Sequence, residues 1–416
     1  MRRRIGTLGL VAVCMLVLAA PGWGNVGFDG GRTGNSPTET KITPDAARNL
    51  KVRWHAHLGK TLPPVADGGR VFALGTSDTG DQLRAYSGAN GGCTAPGVCA
   101  PLWSADQPVL ASLLFTHGKV LAGGDQYVWF DGNVSDGFGW RYYGGQYDPV
   151  TGAYTAGATG NLTGLDTIDG GCLYTYGDGV IYLGRPYPYF TKSLDQVPLD
   201  STCTSKSRDL TYETGGQALG PLASYNGRLY ALGSDRVEVM TMDGPIGTRT
   251  LSAPSALDGL PTVARGRLFV PTLNGDVDVF PTSGCGTSCS SSWIAKAGNV
   301  HIGAVAVTDT RLFVASDDGH LYAFRPAGCG ATVCAPTWTA NVGTGLHSPS
   351  VAGGVVYAGG QDGRVYAFDA NGCGAKTCAP LGSAATGSPV RWAPVVSAGR
   401  VYVTNDAGDL YALGAG

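Results

Sequence analysis

Ser348-Pro349-Ser350-Val351-Ala352-Gly353-Gly354-Val355-Val356-Tyr357-Ala358-Gly359-Gly360-Gln361-Asp362-Gly363-Arg364-Val365-Tyr366-Ala367-Phe368-Asp369 decides the fold. Apolar or alternating runs of four to six residues are separated by glycine-containing turns, and the Asp-Gly pair at Asp362-Gly363 has the pattern of a tight hairpin. The stretch reads as a three-stranded meander. The same elements follow from Ala393-Pro394-Val395-Val396 through Gly399-Arg400-Val401-Tyr402-Val403 to Leu410-Tyr411-Ala412-Leu413. They also precede it, from Gly303-Ala304-Val305-Ala306-Val307 through Arg311-Leu312-Phe313-Val314 and Asp317-Asp318-Gly319 to Leu321-Tyr322-Ala323-Phe324.

Each meander is followed by a loop, often with a close pair of cysteines, and then by a Trp in a fourth run: Trp103, Trp293 and Trp338. Four short strands with a period in the forties point to the blades of a β-propeller, because the coils of a β-helix would repeat faster. First-strand positions fall at Pro64, Leu110, Leu165, Pro221, Pro261, Ala304, Pro349 and Pro394, in steps of 40 to 56 residues. The expected fold class is all-β, a propeller of about eight four-stranded blades. Seven is the alternative, if the third copy around Cys172–Tyr176 and Val180–Leu183 elaborates its neighbour. The last unit stops after its third strand at Leu413, whereas Leu50–Leu58 is an orphan strand containing Trp54. The N-terminal strand is expected to complete the last blade, since exposed edges invite aggregation.

Composition agrees. Charged residues are 14% of the chain, Gly numbers 66, and only three Glu (Glu39, Glu213, Glu238) and eight Lys are available to fill exposed helix faces. A helical bundle or an ordinary α/β enzyme is thereby excluded. Arg2, Arg3 and Arg4 precede an apolar run, Leu8–Ala20, and a small-residue stretch ending at Gly24, so residues 1–24 read as a secretory signal peptide and 25–416 as one secreted propeller domain. Removing residues 1–24 moves the formal charge from −2 to −5, and no basic run remains for a nucleic-acid partner. No membrane span is expected in the mature chain.

Ten cysteines remain after Cys14, an even number in an exported chain, and disulfides are expected. Proximity pairs Cys93 with Cys99, Cys285 with Cys289, Cys329 with Cys334 and Cys373 with Cys378, leaving Cys172 for Cys203. Each short bridge contributes about 2 kcal/mol in the chain-entropy model, so these bridges pin loops rather than create the core. Zinc is not expected, because the pairs lack knuckle spacing and no His follows at ligand distance.

The Gly-Arg-Val-Tyr, Asp-Gly and Leu-Tyr-Ala-Phe-Asp elements, with the opening Phe28-Asp29-Gly30-Gly31-Arg32-Thr33-Gly34-Asn35-Ser36-Pro37, resemble the secreted propellers built from pyrroloquinoline-quinone-type repeats. The resemblance covers nearly the whole mature chain. It implies the fold but not one function, since the superfamily includes quinoprotein dehydrogenases, a propeller lipoprotein of the outer-membrane β-barrel assembly machinery, and binding or sensor domains. The dehydrogenase branch implies adjacent bridged cysteines, a calcium held by Glu, Asn and Asp, and a catalytic Asp. No Cys-Cys dipeptide occurs here, so no cofactor residue is carried over and no cofactor is expected.

The remaining candidates have simple structural readings. Asp317-Asp318-Gly319, Gln361-Asp362-Gly363, Asn405–Asp409 and Asn274-Gly275-Asp276 lack calcium-loop spacing and sit where hairpins need turns. His55 and His57 share a strand face without a third ligand in view, and no Gly-x-Ser-x-Gly elbow marks an esterase, so neither catalytic nor metal residues are assigned. An irregular insertion at about 131–219 lies in the aromatic-rich part of the chain. Trp129, Trp140, Tyr142, Tyr143 and Tyr147 are the candidate ligand-binding residues there, either as a platform for sugar rings or a partner's surface, or as the insertion's own small core.

The expected function is a secreted non-catalytic module, monomeric, that binds or scaffolds a protein or cell-surface glycan through rim loops. The alternatives are a quinoprotein-like oxidoreductase using pyrroloquinoline quinone and calcium, and a carbohydrate-active or glycan-binding propeller.

Overall fold

Consecutive side chains point to opposite faces of a strand, and in this chain both faces are apolar: Leu312–Ala315 and Val355–Gly360 are buried at every position. A sheet of such strands needs a neighbour on each side. The computed structural model describes residues 32–415, apart from 60–61, 68, 78–79, 91, 96–97, 108–111, 117–118, 130–137, 162–172, 178–179, 185–194, 199–221, 227, 233–235, 242–243, 258, 285, 299 and 301. Residues 1–24, read as a signal peptide, and both Cys172 and Cys203 lie outside the described residues.

The described strands form eight antiparallel meanders, all-β as expected. Sheet 1 holds Val65–Asp67, Arg70–Ser77, Gly80–Ser87 and Trp103–Gln107; sheet 2 holds Ser112–Thr116, Lys119–Trp129, Phe138–Tyr147 and Tyr154–Asn161. Sheet 3 has Leu173–Gly177, Val180–Gly184 and Asp195–Pro198, and sheet 4 has Leu222–Tyr225, Arg228–Leu232, Arg236–Thr241 and Gly244–Ser252. The stretch read as an irregular insertion thus carries regular strands. Sheets 5, 6 and 7 begin at Thr262–Ala264, Val305–Val307 and Leu346–Ala352, and end on Trp293–Ala295, Trp338–Asn341 and Gly382–Ala385. In sheet 8, Val395–Ser397, Arg400–Thr404 and Asp409–Ala415 are joined by the N-terminal strand Leu50–His57, which pairs antiparallel with Asp409–Ala415.

First strands of successive sheets lie side by side, from Val65–Asp67 beside Ser112–Thr116 through to Leu346–Ala352 beside Val395–Ser397. Apolar side chains fill the spaces between sheets. Leu312 and Val314 of sheet 6 pack with Phe269, Val277 and Val279 of sheet 5, while Phe313 and Ala315 pack with Val351, Val356 and Phe368 of sheet 7.

Three of the cysteine loops do more than close on themselves. Cys93–Cys99, Cys329–Cys334 and Cys373–Cys378 are disulfide-bonded, as is Cys289, whose expected partner Cys285 lies outside the described residues. Val333–Cys334, from the loop of sheet 6, runs parallel to the outer strand Trp293–Ala295 of sheet 5, and Thr377–Cys378 does the same to Trp338–Asn341 of sheet 6. Ser288–Ser290 likewise extends sheet 4. Gly328 and Gly372, both at positive φ, place these loops so close to the indoles that an added Cβ would come within 3.1 Å of Trp293 and 2.9 Å of Trp338. These three loops are therefore latches onto the sheet before them, whereas Cys93–Ala95 and Val98–Cys99 pair with each other as a separate two-stranded sheet.

The segment after Arg32 crosses one end of the sheets. Thr33 and Gly34 accept backbone hydrogen bonds from Val307 and Val351, Asn35–Ser36 pairs parallel with Val351–Ala352, and Glu39 accepts from the backbone N–H groups of Lys41 and Gly399. It ends in a short helix, Pro44–Ala47, N-capped by Thr43. Among the described residues, no helix is long and apolar enough to cross a membrane.

Trp338 is buried between its own sheet and the next sheet's latch. Trp338→Ala is expected to lower unfolding stability by about 3–5 kcal/mol, whereas Val333→Ala, on an exposed latch residue, should change it by less than about 0.5 kcal/mol; urea denaturation checks both.

Candidate functional site

Sheet 5 differs from the three sheets that follow it. The buried Trp fixes the alignment, since Trp293 pairs with Val279, Trp338 with Ala323 and Trp54 with Ala412. The residue preceding each partner is Tyr322 in sheet 6, Tyr411 in sheet 8 and, at the same place in sheet 7, Tyr366. In sheet 5 it is Asp278, and in sheet 1, where Trp103 pairs with Ala85, it is Arg84. The phenols of Tyr322 and Tyr366 donate to the hairpin carboxylates of Asp318 and Asp362, each at 2.6 Å. Asp278 has no ring to fill that space.

A cavity of about 220 Å³ lies there, lined by Pro254, Ser255, Asn274, Asp278, Ile294 and Lys296 among others. Asp276, just before the strand Val277–Pro281, and Asp278 on that strand both line the cavity. The two acids differ in their partners. Asp276 is satisfied by the Lys296 ammonium at 2.9 Å and by the backbone N–H of Ala297 at 3.3 Å. Asp278 is 1% exposed, and its Oδ2 is buried without a hydrogen-bond partner. Burial first, and the neighbouring Asp276 second, push its pKa from 3.8 up to about 6. Exposed Leu273, Val300 and Val333 give this part of the sheet apolar surface.

The hairpin acids read as turn formers are that. Asp318 and Asp362 accept from the backbone N–H groups of His320 and Arg364, Asn405 accepts from Asp409, and Gly275, Gly319, Gly363 and Gly408 supply the positive φ the turns require. His57 lies 2.7 Å from Asp409, and His55 stacks on Tyr411. Among the described residues, no group of three or more His, Cys, Asp or Glu is placed to hold a metal.

All five aromatic candidates fall on sheet 2. Trp129 ends its second strand; Trp140, Tyr142 and Tyr143 lie on the third, opposite Tyr127, Asp125 and Gly124, with their side chains outside the described residues. Tyr147 is 1% exposed and packs with Phe72, Leu74, Leu83 and Val120 between sheets 1 and 2. Its ring is core rather than rim. Sequence reasoning passed over Asp278, although a lone acid in Val277-Asp278-Val279-Phe280 was the visible signal.

Among the described residues, the acids that a calcium beside a quinone would draw on are placed as follows. Glu39 is engaged by the backbone of Lys41 and Gly399, Glu238 sits within the third strand of sheet 4 opposite Ala231 and Thr248, and Glu213 lies outside the described residues.

Residues 287–377 match the family described as outer membrane protein assembly factor BamB. No curated protein matches the sequence. Among solved structures, BamB from Moraxella catarrhalis is similar at 15% identity and a TM-score of 0.59, over 88% of this chain and 97% of its own. Quinohemoprotein alcohol dehydrogenase from Comamonas testosteroni is similar at 14% identity and a TM-score of 0.63, over 94% and 80%. The computationally designed Ika8 protein gives 11%, 0.58, 87% and 98%. The resemblance to propellers of pyrroloquinoline-quinone-type repeats therefore holds in sequence and in fold.

Ionising Asp278 costs more in the folded chain than in the unfolded one, so stability falls as pH rises from about 4 through about 6. Wild type is expected to lose about 2–3 kcal/mol across that range relative to Asp278→Asn; parallel urea titrations at pH 4 and pH 7 measure the difference.

Proposed function

We propose that the chain is a secreted, monomeric, non-catalytic β-propeller that binds or scaffolds a protein partner, built as one domain over residues 25–416 after a signal peptide of residues 1–24. Eight blades closed into a ring suit the contacts of the first strands. Val395–Ser397 of sheet 8 lies beside Val65–Asp67 of sheet 1, so the succession returns to its start. The strand Leu50–His57 completes the last blade. Disulfide-tied loops fit an extracellular or periplasmic setting.

One observation carries the binding reading: a rigid sheet presents a cavity with a buried, unsatisfied carboxylate oxygen beside exposed apolar side chains. Polar groups convergent in a concave site are what recognition uses. The hairpin turns and inter-sheet connections around this cavity lie at the end opposite the segment crossing from Arg32, because successive connections in an antiparallel meander alternate ends. A partner approaching there meets no obstruction from that segment. The family matched by residues 287–377 is by its description an assembly factor, which agrees with a protein partner. The aromatic strands of sheet 2 keep a glycan partner as a second reading. The likeness to quinohemoprotein alcohol dehydrogenase favours a rival, an oxidoreductase using pyrroloquinoline quinone and calcium.

Titrating the oxidised protein with pyrroloquinoline quinone and calcium decides between them. The expected outcome is no change in melting temperature and no dye-linked alcohol or sugar oxidation. A cofactor held at micromolar affinity would instead add about 2.7 kcal/mol at a hundredfold excess, and turnover with it would overturn the binding-module reading.

A further inference from the structure

Building on the binding-module reading, we propose that the cavity on sheet 5 receives the cationic head of a basic side chain, Arg or Lys, presented by a protein partner. Charge sets the valence. Asp276 and Asp278 bring two carboxylates and Lys296 one ammonium, so with both acids ionised one negative charge is uncompensated. A monovalent cation balances it, whereas a divalent ion would overshoot.

Geometry sets the place. Both oxygens of Asp276 are engaged, one by Lys296 and one by the backbone of Ala297. Thr272 spends its hydroxyl on Asn274 and on the carbonyl of Asp276. Asp278 Oδ2 is the acceptor left over, on a residue 1% exposed. A buried polar group of this kind is costly unless something donates to it.

The walls set the stem. Pro254, Ile294 and Val333 line the cavity and suit the methylenes of a long basic side chain, whose head then reaches the acid. Leu273, 60% exposed between two lining residues, and Val333, 53% exposed, offer apolar surface to the residues flanking it. Asp278 stands where sheets 6, 7 and 8 place Tyr322, Tyr366 and Tyr411, and the space beside it forms the opening that would admit the side chain.

The test uses N-acetyl-arginine methylamide and N-acetyl-lysine methylamide as probes, followed by amide chemical shifts of the full oxidised protein at pH 7.5. Saturable shifts at Ile294 and Val333 are expected, weakened at least tenfold by Asp278→Asn and unchanged by Asp362→Asn, whose carboxylate caps a turn in sheet 7. Lys296→Met removes the resident ammonium and should tighten binding several-fold, so the proposal stays testable if Asp278→Asn fails to fold. Absence of saturable shifts in wild type, or equal binding by Asp278→Asn, overturns it. Butylammonium binding as tightly as either capped residue would assign the site to free amines and overturn the partner side chain. Quinone turnover would remove the binding-module reading whatever the probes do; failure of the probes without turnover would remove only this inference.

Discussion

The structure depends on a single constraint: its sheets have two apolar faces and no interior of their own. Sheet 6 shows the consequence. Alternation along Leu312–Ala315 sends Leu312 and Val314 toward sheet 5 and Phe313 and Ala315 toward sheet 7, so removing either neighbour would expose half of every strand. The core is therefore a series of partitions between sheets. The latches follow from the same requirement, because the outer strand carries a large indole at Trp293 or Trp338 that its own sheet cannot cover. A loop borrowed from the next sheet covers it, and glycine at the contact lets the backbone approach the ring.

Where the indole is missing, the arrangement changes. Sheet 7 ends on Gly382–Ala385, without a Trp, and there the short helix Pro44–Ala47 does the covering: a Cβ on Gly382 would lie 2.5 Å from the carbonyl oxygen of Ala47. That helix is reached only because the N-terminal segment crosses the sheet ends, held at Val307, Val351 and Gly399. The segment and the strand Leu50–His57 are consecutive parts of one chain, so covering sheet 7 and completing sheet 8 are coupled.

Much of this was legible because periodicity is a local property. The meander at Ser348–Asp369 and its copies located the first strands of sheets 5 to 8, the hairpin glycines and the Trp strands, and an orphan strand at Leu50 paired with a unit that stopped at Leu413, whereas sheet 3 begins at Leu173 and not near Leu165. The latches were not legible. Spacing between Cys373 and Cys378 says that a loop closes, but the pairing of Thr377–Cys378 with sheet 6 depends on where the neighbouring sheet sits. Tyr147 shows a second limit: an aromatic in an aromatic-rich segment reads equally as a platform or as the small core of an insertion, and only the space between sheets 1 and 2 shows which core needs it. Asp276 was read as turn chemistry and Asp278 passed over, since an acid's environment is set by side chains from Pro254 to Val333 that are distant in sequence.

Asp278 sits in a place where collapse is blocked. A small residue in place of a large one normally costs less when the surroundings relax into the gap. Here the strand bearing Asp278 is paired on one side with Arg267–Pro271 and on the other with Trp293–Ala295, and the latter is held in turn by Val333–Cys334 and its disulfide. The opposite face of the same strand packs Val277 and Val279 into the partition with sheet 6. Backbone and far face are both fixed, so the gap left by the missing phenol persists with an acid at its floor. A repeat that is otherwise regular tolerates a local violation only where the rest of the structure absorbs the cost, and such violations mark functional sites more often than chance defects. The latch that covers Trp293 is thus also what keeps the cavity open.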